Sequence, residues 1–378
     1  MKRFISMLLA GVLCVSLLAG CGSAKDNTPV VMTVDGEDIQ SSELAAYIVY
    51  NMMYYQNAFG MDASQMADDT IFNSVKDGCK NQVVQYRAIQ KLAEQEGVSL
   101  SKESKETIKE NKTSNRETMG AETNGFTRWL KYSVKGDADP FVTYLNSYGY
   151  TEELYDENTE TMQLQEDIIN KYYDDGVITE QFNNTYLHAK SILISDNDGN
   201  GNILTGDKFN EAKAKAQSIL DKAKAGEDFD QLWEDNNSDT AQPDDGYYFT
   251  EGDMVNEYYN AVKDMEVGAV NSELVYYEGY GWFIIQKREL KEEAITDTAS
   301  YLNNSGEEGD ESTIKTAIGG NLVSDKLDEI VEAMDVQTNE EYDKITAYNV
   351  NTYLPFSSDA IVSEGSGSAA AADGSAAG

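Results

Sequence analysis

Two short apolar runs bound the stretch from Gln181 to Leu290 and constrain what this chain can fold into. The first is Tyr186-Leu187-His188-Ala189-Lys190-Ser191-Ile192-Leu193-Ile194. The second is Gly281-Trp282-Phe283-Ile284-Ile285-Gln286-Lys287. Runs of this length, rich in β-branched and aromatic residues, read as buried strands rather than helices. Between them lie a helix-period segment, a Gly-Asp-Met segment and a Gly/Ser turn. The sequence on either side is mostly helical in pattern. The stretch 181–290 therefore reads as a small α/β domain inserted into a helical one.

The first residues read as an address. Lys2 and Arg3 form a charged start, Ile5 to Leu18 is apolar but too short and poorly flanked for a stable span, and Leu18-Ala19-Gly20-Cys21 has the pattern of a bacterial lipobox. The expectation is a lipoprotein signal at 1–21, lipid on Cys21 and a polar tether at 22–29. The protein would lie outside the cytoplasm, lipid-anchored to the cell membrane. With Cys14 in the signal and Cys21 lipidated, only Cys79 remains, so no intrachain disulfide can form. Cys79 falls in a helical pattern and reads as a small buried apolar residue. The formal net charge of −38 argues against a nucleic-acid partner and against a polybasic membrane patch.

After the tether, Val30 to Val34 reads as a strand and Asp35-Gly36 as a tight turn, with Ser41-Ser42 capping a helix. Ile71, Val75, Cys79, Val83, Tyr86 and Ile89 recur at three- and four-residue steps. They predict one long helix from about Asp69 to Glu96, closed by Gly97. Further helices are expected at 101–119, 126–144 and 151–173, giving a helical domain over 30–180. Lys291 to Asp310 reads as a polar loop, Ser312 to Ala333 as a helix, and Glu364 to Gly378 as Gly/Ser/Ala-rich chain without apolar bulk. The terminal divisions are 291–355 for a helical region and 356–378 for a disordered tail.

Two resemblances emerge from these residues. Val-x-x-Val-Asp-Gly-Glu-x-Ile before a capped helix, then a long helix ending Ala93-Glu94-Gln95-Glu96-Gly97-Val98-Ser99, resembles the N-terminal chaperone domain of the SurA/PrsA group of exported foldases. The central block resembles a parvulin-type peptidyl-prolyl isomerase domain through five segments in order. They are Ala189 to Ile194, Ala212 to Gly226 with Asp228, Phe229 and Leu232, Gly252-Asp253-Met254-Val255 with Tyr258 and Ala261, Gly268 to Ser272, and Gly281 to Ile285. The resemblance implies an α+β fold: a helical chaperone domain with an inserted small antiparallel sheet flanked by helices. It also implies that 291–355 packs back on the N-domain. Implied partners are unfolded or partly folded exported polypeptides, with no cofactor. It leaves a homodimer open and suggests a Gram-positive cell surface.

Prolyl isomerisation twists an amide across a barrier of about 18–20 kcal/mol. It needs an apolar proline pocket and hydrogen bonds that favour the twisted form. By the resemblance, Met254, Tyr258 and Phe283 fall in the pocket region, with Met254 at the family's Met and Tyr258 where the family has Phe. The family's two histidines do not carry over: Ser191 stands at the first position and Phe283 at the second. Asp239 and Thr240 lie around the family's Cys/Asp position and, with Ser191, are the candidate catalytic residues. The chain's one histidine, His188, is three residues from Ser191, so strand alternation puts it on the opposite face, as a surface or interdomain residue. Loss of the histidines implies a foldase whose isomerase activity is degenerate. The alternative is an active isomerase using a variant Ser/Asp network.

Asp196, Asp198, Asn200 and Asp207 fit the start of a calcium loop. They follow a strand rather than a helix, so the calcium frame is incomplete, and a polar loop of Asx turns is the favoured account. A third class of function, a solute-binding lipoprotein, is disfavoured because repeated β-α units are not evident.

Overall fold

The computed structural model describes residues 28–121, 139–199, 201–305, 307 and 310–358. The signal, Cys21, most of the tether, Asn200, part of the helix expected at 126–144 and the tail from 359 lie outside the described residues. In chain order the elements are β1 (Val30–Val34), β2 (Glu37–Gln40), α1 (Ser41–Phe59), α2 (Ala63–Met66), α3 (Asp69–Glu96), α4 (Lys102–Ala121), α5 (Pro140–Ser147), α6 (Glu152–Asp174), α7 (Val177–Thr185), β3 (Leu187–Ser195), α8 (Gly206–Lys224), α9 (Phe229–Asn236), β4 (Tyr247–Phe249), α10 (Asn256–Lys263), β5 (Val275–Tyr277), β6 (Gly281–Arg288), α11 (Ile314–Ala333), β7 (Val336–Thr338) and α12 (Glu340–Asp343). The class is α+β, with small antiparallel sheets among helices. No described helix is long and apolar enough to cross a membrane. The chain divides into two compact units. One gathers 28–84, 111–157 and 334–358, the other 85–110 and 158–333.

The first unit is built on a hairpin. Asp35 and Gly36 both have positive φ, +51° and +83°, which a two-residue turn matched to strand twist requires. β2, β1 and β7 form one antiparallel sheet in that order, with Met32 opposite Thr338. β7 was not expected from sequence; three residues are too few for a period to register. α1 buries Leu44, Ala45, Ile48, Val49 and Met52. Its N-cap is Gln40, not the Ser41-Ser42 pair. Those serines lie inside the first turn, and Ser42 bonds Thr28 instead. In α3, Cys79 is a buried free thiol whose pKa burial pushes up to about 12, so it stays protonated. Lys76 is also buried. Its ammonium donates to the Ile345 carbonyl at 3.2 Å and lies 4.7 Å from the Tyr342 ring centroid.

The second unit holds the central sheet, in the order β4-β3-β6-β5, all antiparallel. β3 and β6 pair from His188 opposite Arg288 to Ser195 opposite Gly281. Alternation sends Ile192, Ile194, Trp282 and Ile284 to one face, under Ala216, Ile219 and Leu220 of α8 and Phe229 and Leu232 of α9. It sends Ala189, Leu193, Phe283 and Ile285 to the other, under Tyr258 and Val262 of α10. Both faces are covered, which is why these strands read as continuous apolar runs rather than alternating ones. α7 precedes β3 and, like α11, contacts the short turn Glu292–Ile295. That turn buries Ala294 and Ile295, so the stretch expected as a polar loop is partly core. α11 reaches back to residues of the expected N-domain: Lys315 bonds Asn170, and Lys326 pairs with Glu96.

β6 begins at a point of very close approach. Gly281 has φ +127°, and a Cβ there would lie 2.1 Å from the Ile194 carbonyl oxygen. That atom belongs to the ladder and cannot move without breaking it. Gly281→Ala is therefore expected to destabilise the second unit by about 3 kcal/mol or more. Urea unfolding followed by tryptophan fluorescence would measure it. Ile284→Ala, which removes a fully buried side chain, should cost about 2–5 kcal/mol.

Candidate functional site

The site lies on the α10 side of the central sheet. Gly252 turns the chain with φ +98°, and Asp253 fixes the turn by accepting from the Thr250 amide and hydroxyl. Met254 follows and packs, half-buried, against the same apolar cluster as Tyr258 and Phe283. The Tyr258 ring meets Phe249 and Phe283 edge-on, with centroids 5.5 and 5.4 Å away. Tyr280 tilts against Phe283 at 6.4 Å and is exposed, forming an aromatic rim with Tyr277. The structure thus brings Met254, Tyr258 and Phe283 together in one apolar cluster, in which Tyr258 and Phe283 are buried and Met254 is half-buried.

Ser191 sits behind this cluster, buried. β4 pairs with only Leu187 to Ala189 of β3, so beyond Ala189 the edge of β3 lacks a strand partner on that side. Side-chain amides continue the ladder. Gln242 accepts from the Ser191 amide at 3.2 Å and from the Trp233 indole at 3.0 Å, and donates to the Ser191 hydroxyl at 3.0 Å. Asn237 accepts from the Leu193 amide, and the Ser238 amide donates to the Leu193 carbonyl. Ser191 is therefore held in a clamp that completes the sheet edge. The Tyr258 hydroxyl faces Ser191 but makes no hydrogen bond of normal geometry. Burial raises its pKa strongly, so it is a neutral phenol.

Asp239 and Thr240 part company. Asp239 accepts a 2.9 Å hydrogen bond from the Tyr247 hydroxyl and a second from the Ala241 amide. Burial, then the Asp239 charge, pushes the Tyr247 phenol up. Thr240 is exposed in the loop. The polar part of the site is thus two groups, Ser191–Gln242 and Asp239–Tyr247, with the Tyr258 hydroxyl near both. Gln242, Asn237 and Tyr247 were not singled out from sequence. The first two sit in an irregular loop where no periodicity marks them, and Tyr247 was one ring among many.

His188 lies on the face away from Ser191, but it is not a surface or interdomain residue: it is buried within the second unit. Its ring stacks on Tyr248 at 3.9 Å, and its nitrogens meet the carbonyls of Glu289 at 2.6 Å and Asp245 at 2.9 Å. It ties the chain leaving β6 and the loop entering β4 to β3, which sequence spacing cannot reveal. Of the calcium-loop residues, Asp196 is buried and accepts from the Tyr276 hydroxyl and the Gly279 amide. Asp198 accepts from Asn202, Asp207 lies in the first turn of α8, and Asn200 lies outside the described residues. Among the described residues no group of three or more His, Cys, Asp or Glu could hold a metal ion.

Residues 176–291 match the family model described as the PPIC-type PPIASE domain. This stretch is a peptidyl-prolyl isomerase domain of the parvulin type, and it begins with α7. Over a longer span the chain is PrsA-like. It is 23% identical over 302 residues to the "Foldase protein PrsA" of Halalkalibacterium halodurans, covering 77% of each chain. Among solved structures, the peptidylprolyl isomerase PrsA of Bacillus cereus aligns with 87% of this chain and 99% of its own, at 17% identity and a TM-score of 0.33. The foldase PrsA of Streptococcus pneumoniae aligns with 81% and 93%, at 15% identity and a TM-score of 0.28.

Burial pushes the His188 pKa below its ordinary 6.5, while the Glu289 and Asp245 carbonyls and the Asp245 carboxylate oppose the shift. The ring is then neutral when folded and binds protons more readily when unfolded. Its contribution is present above the ordinary value of 6.5 and is lost as pH falls from there through the lower folded-state pKa. Between pH 7 and 5, the urea midpoint should fall more steeply for the unsubstituted chain than for His188→Phe. Parallel slopes would show that His188 does not titrate on unfolding.

Proposed function

We propose that this chain is an extracytoplasmic foldase and chaperone. It would bind unfolded or partly folded exported polypeptides, with a parvulin-type domain whose isomerase chemistry is degenerate. The observation that carries the second half is the composition of the site. Where the fold would accept two imidazoles, it has a serine clamped by Gln242 and a phenylalanine within an apolar cluster. Such a site can hold a proline ring and flanking apolar side chains by contact with half-buried Met254 and the exposed rings of Tyr277 and Tyr280, since Tyr258 and Phe283 are themselves buried. It lacks an imidazole to hydrogen-bond the amide as it twists. Cys21 is proposed as the lipid attachment point. Cys21→Ala should then move the protein from the membrane pellet to the soluble fraction.

A second reading has one observation in its favour. Asp239 and Tyr247 form a bonded pair beside the phenol of Tyr258, and such a group could polarise an amide without histidine. Proline-limited refolding of a small substrate protein separates the two. The degenerate reading predicts acceleration below about tenfold at stoichiometric protein, a barrier change under about 1.4 kcal/mol. It also predicts that Ser191→Ala and Asp239→Ala change nothing, while aggregation of an unfolded client is still suppressed. A large acceleration abolished by Asp239→Ala would establish the active alternative. Tight binding of a small solute, with no suppression of aggregation, would return the solute-binding class.

A further inference from the structure

An exposed aromatic surface lies in the first unit, on residues separate from the parvulin-type domain. The C-terminal half of α1 carries Tyr50, Tyr54, Tyr55 and Phe59, exposed at 44%, 53%, 37% and 65%. Tyr54, Tyr55 and Phe59 contact one another with centroids 5.6–6.1 Å apart. Tyr50, one turn earlier, meets Tyr148 at 6.2 Å and Tyr150 at 5.2 Å. Large rings gathered in this way on a surface mark a binding face rather than scattered exposure. They are rigid, so covering them costs little side-chain freedom.

The charge around these rings says what covers them. From residue 28 to 75 the chain has no Lys or Arg. Between Leu44 and Met61, on the patch itself, there is no charged residue of either sign, and Asp62, Asp68 and Asp69 follow at once. Ser64 and Gln65 hydrogen-bond the Asp62 carboxylate and hold its pKa below the usual carboxylate range. The face is thus a set of π surfaces beside fixed negative charge. A second copy of this chain, formally −38, would bring like charge to it. A cationic segment gains on both counts, since ring faces and carboxylates each attract Lys and Arg.

We propose that the Tyr50–Phe59 face of α1 binds unfolded polypeptide segments in which aromatic or aliphatic residues stand next to Lys or Arg. The face rests on the chaperone reading above and names its substrate class. Fluorescence anisotropy with the full chain tests it, using fluorescein-labelled 16-residue peptides of Phe, Ser and Lys against peptides with Glu in place of Lys. The Lys peptide should bind at least tenfold more tightly than the Glu peptide, and its affinity should fall with salt. Tyr50→Ser/Tyr54→Ser/Phe59→Ser should weaken Lys-peptide binding at least tenfold with an unchanged melting temperature. Tyr54→Ser alone should weaken it in the same direction, which guards against a misfolded triple variant. Equal affinity for the two peptides, or unchanged binding by the variants, would overturn the assignment. So would a dimer that the triple substitution dissociates. If the variants bind normally while the chain still suppresses client aggregation, this surface is wrong and the chaperone reading stands. If the chain neither binds peptide nor suppresses aggregation, both fall.

Discussion

The pairing of β3 with β6 is the constraint on which the rest of the second unit depends. It runs from His188 opposite Arg288 to Ser195 opposite Gly281, and each face of the pair is covered by its own helices. Every unpaired amide along it would be a buried unsatisfied donor, costly in a medium without water. The fold meets that demand with side chains where strands stop. Asn237 and Gln242 serve β3 beyond the end of β4. Asn271 does the same for β6, accepting from the Ile285 amide at 2.7 Å and donating to the Phe283 carbonyl. Loops on both sides of the pair are therefore fixed by amide side chains, and the site inherits its shape from them.

That origin explains the chemistry of the site. Ser191 is committed to Gln242 before any substrate arrives, so its hydroxyl has a structural use. Phe283 packs against Tyr258 at 5.4 Å and makes this side of the site apolar. The second polar group is the hydrogen-bonded pair of Asp239 and Tyr247.

Much of this was legible in the residues, for physical reasons. β3, β6 and α3 are long and bury continuous or periodic sets, so Ile192, Ile284 and Val83 announce themselves. The meeting of Met254, Tyr258 and Phe283 is what the resemblance of these segments to a parvulin-type domain implies. What escaped was non-periodic. Gln242 and Asn237 act through single amides in a loop, and β7 is three residues long. His188 was misplaced because alternation gives a face but not what covers it. Here Tyr248 stacks over the ring. Ser41 and Ser42 suit a cap, yet the backbone turns into the helix one residue earlier, at Gln40.

The sheet of the first unit joins β1, from residues 30–34, to β7, from residues 336–338. A chain made from its N-terminus onward cannot complete that sheet until nearly all of it has emerged. The β3–β6 pairing closes within a much shorter loop and can form beforehand. Such long-range closure is entropically expensive and slow. The topology thereby lets the β3–β6 pairing close while the first unit still waits for its last strand. A protein proposed to attend the folding of others would itself pass through an interval with an open hairpin edge, and any truncation before Val336 would leave that edge permanently open.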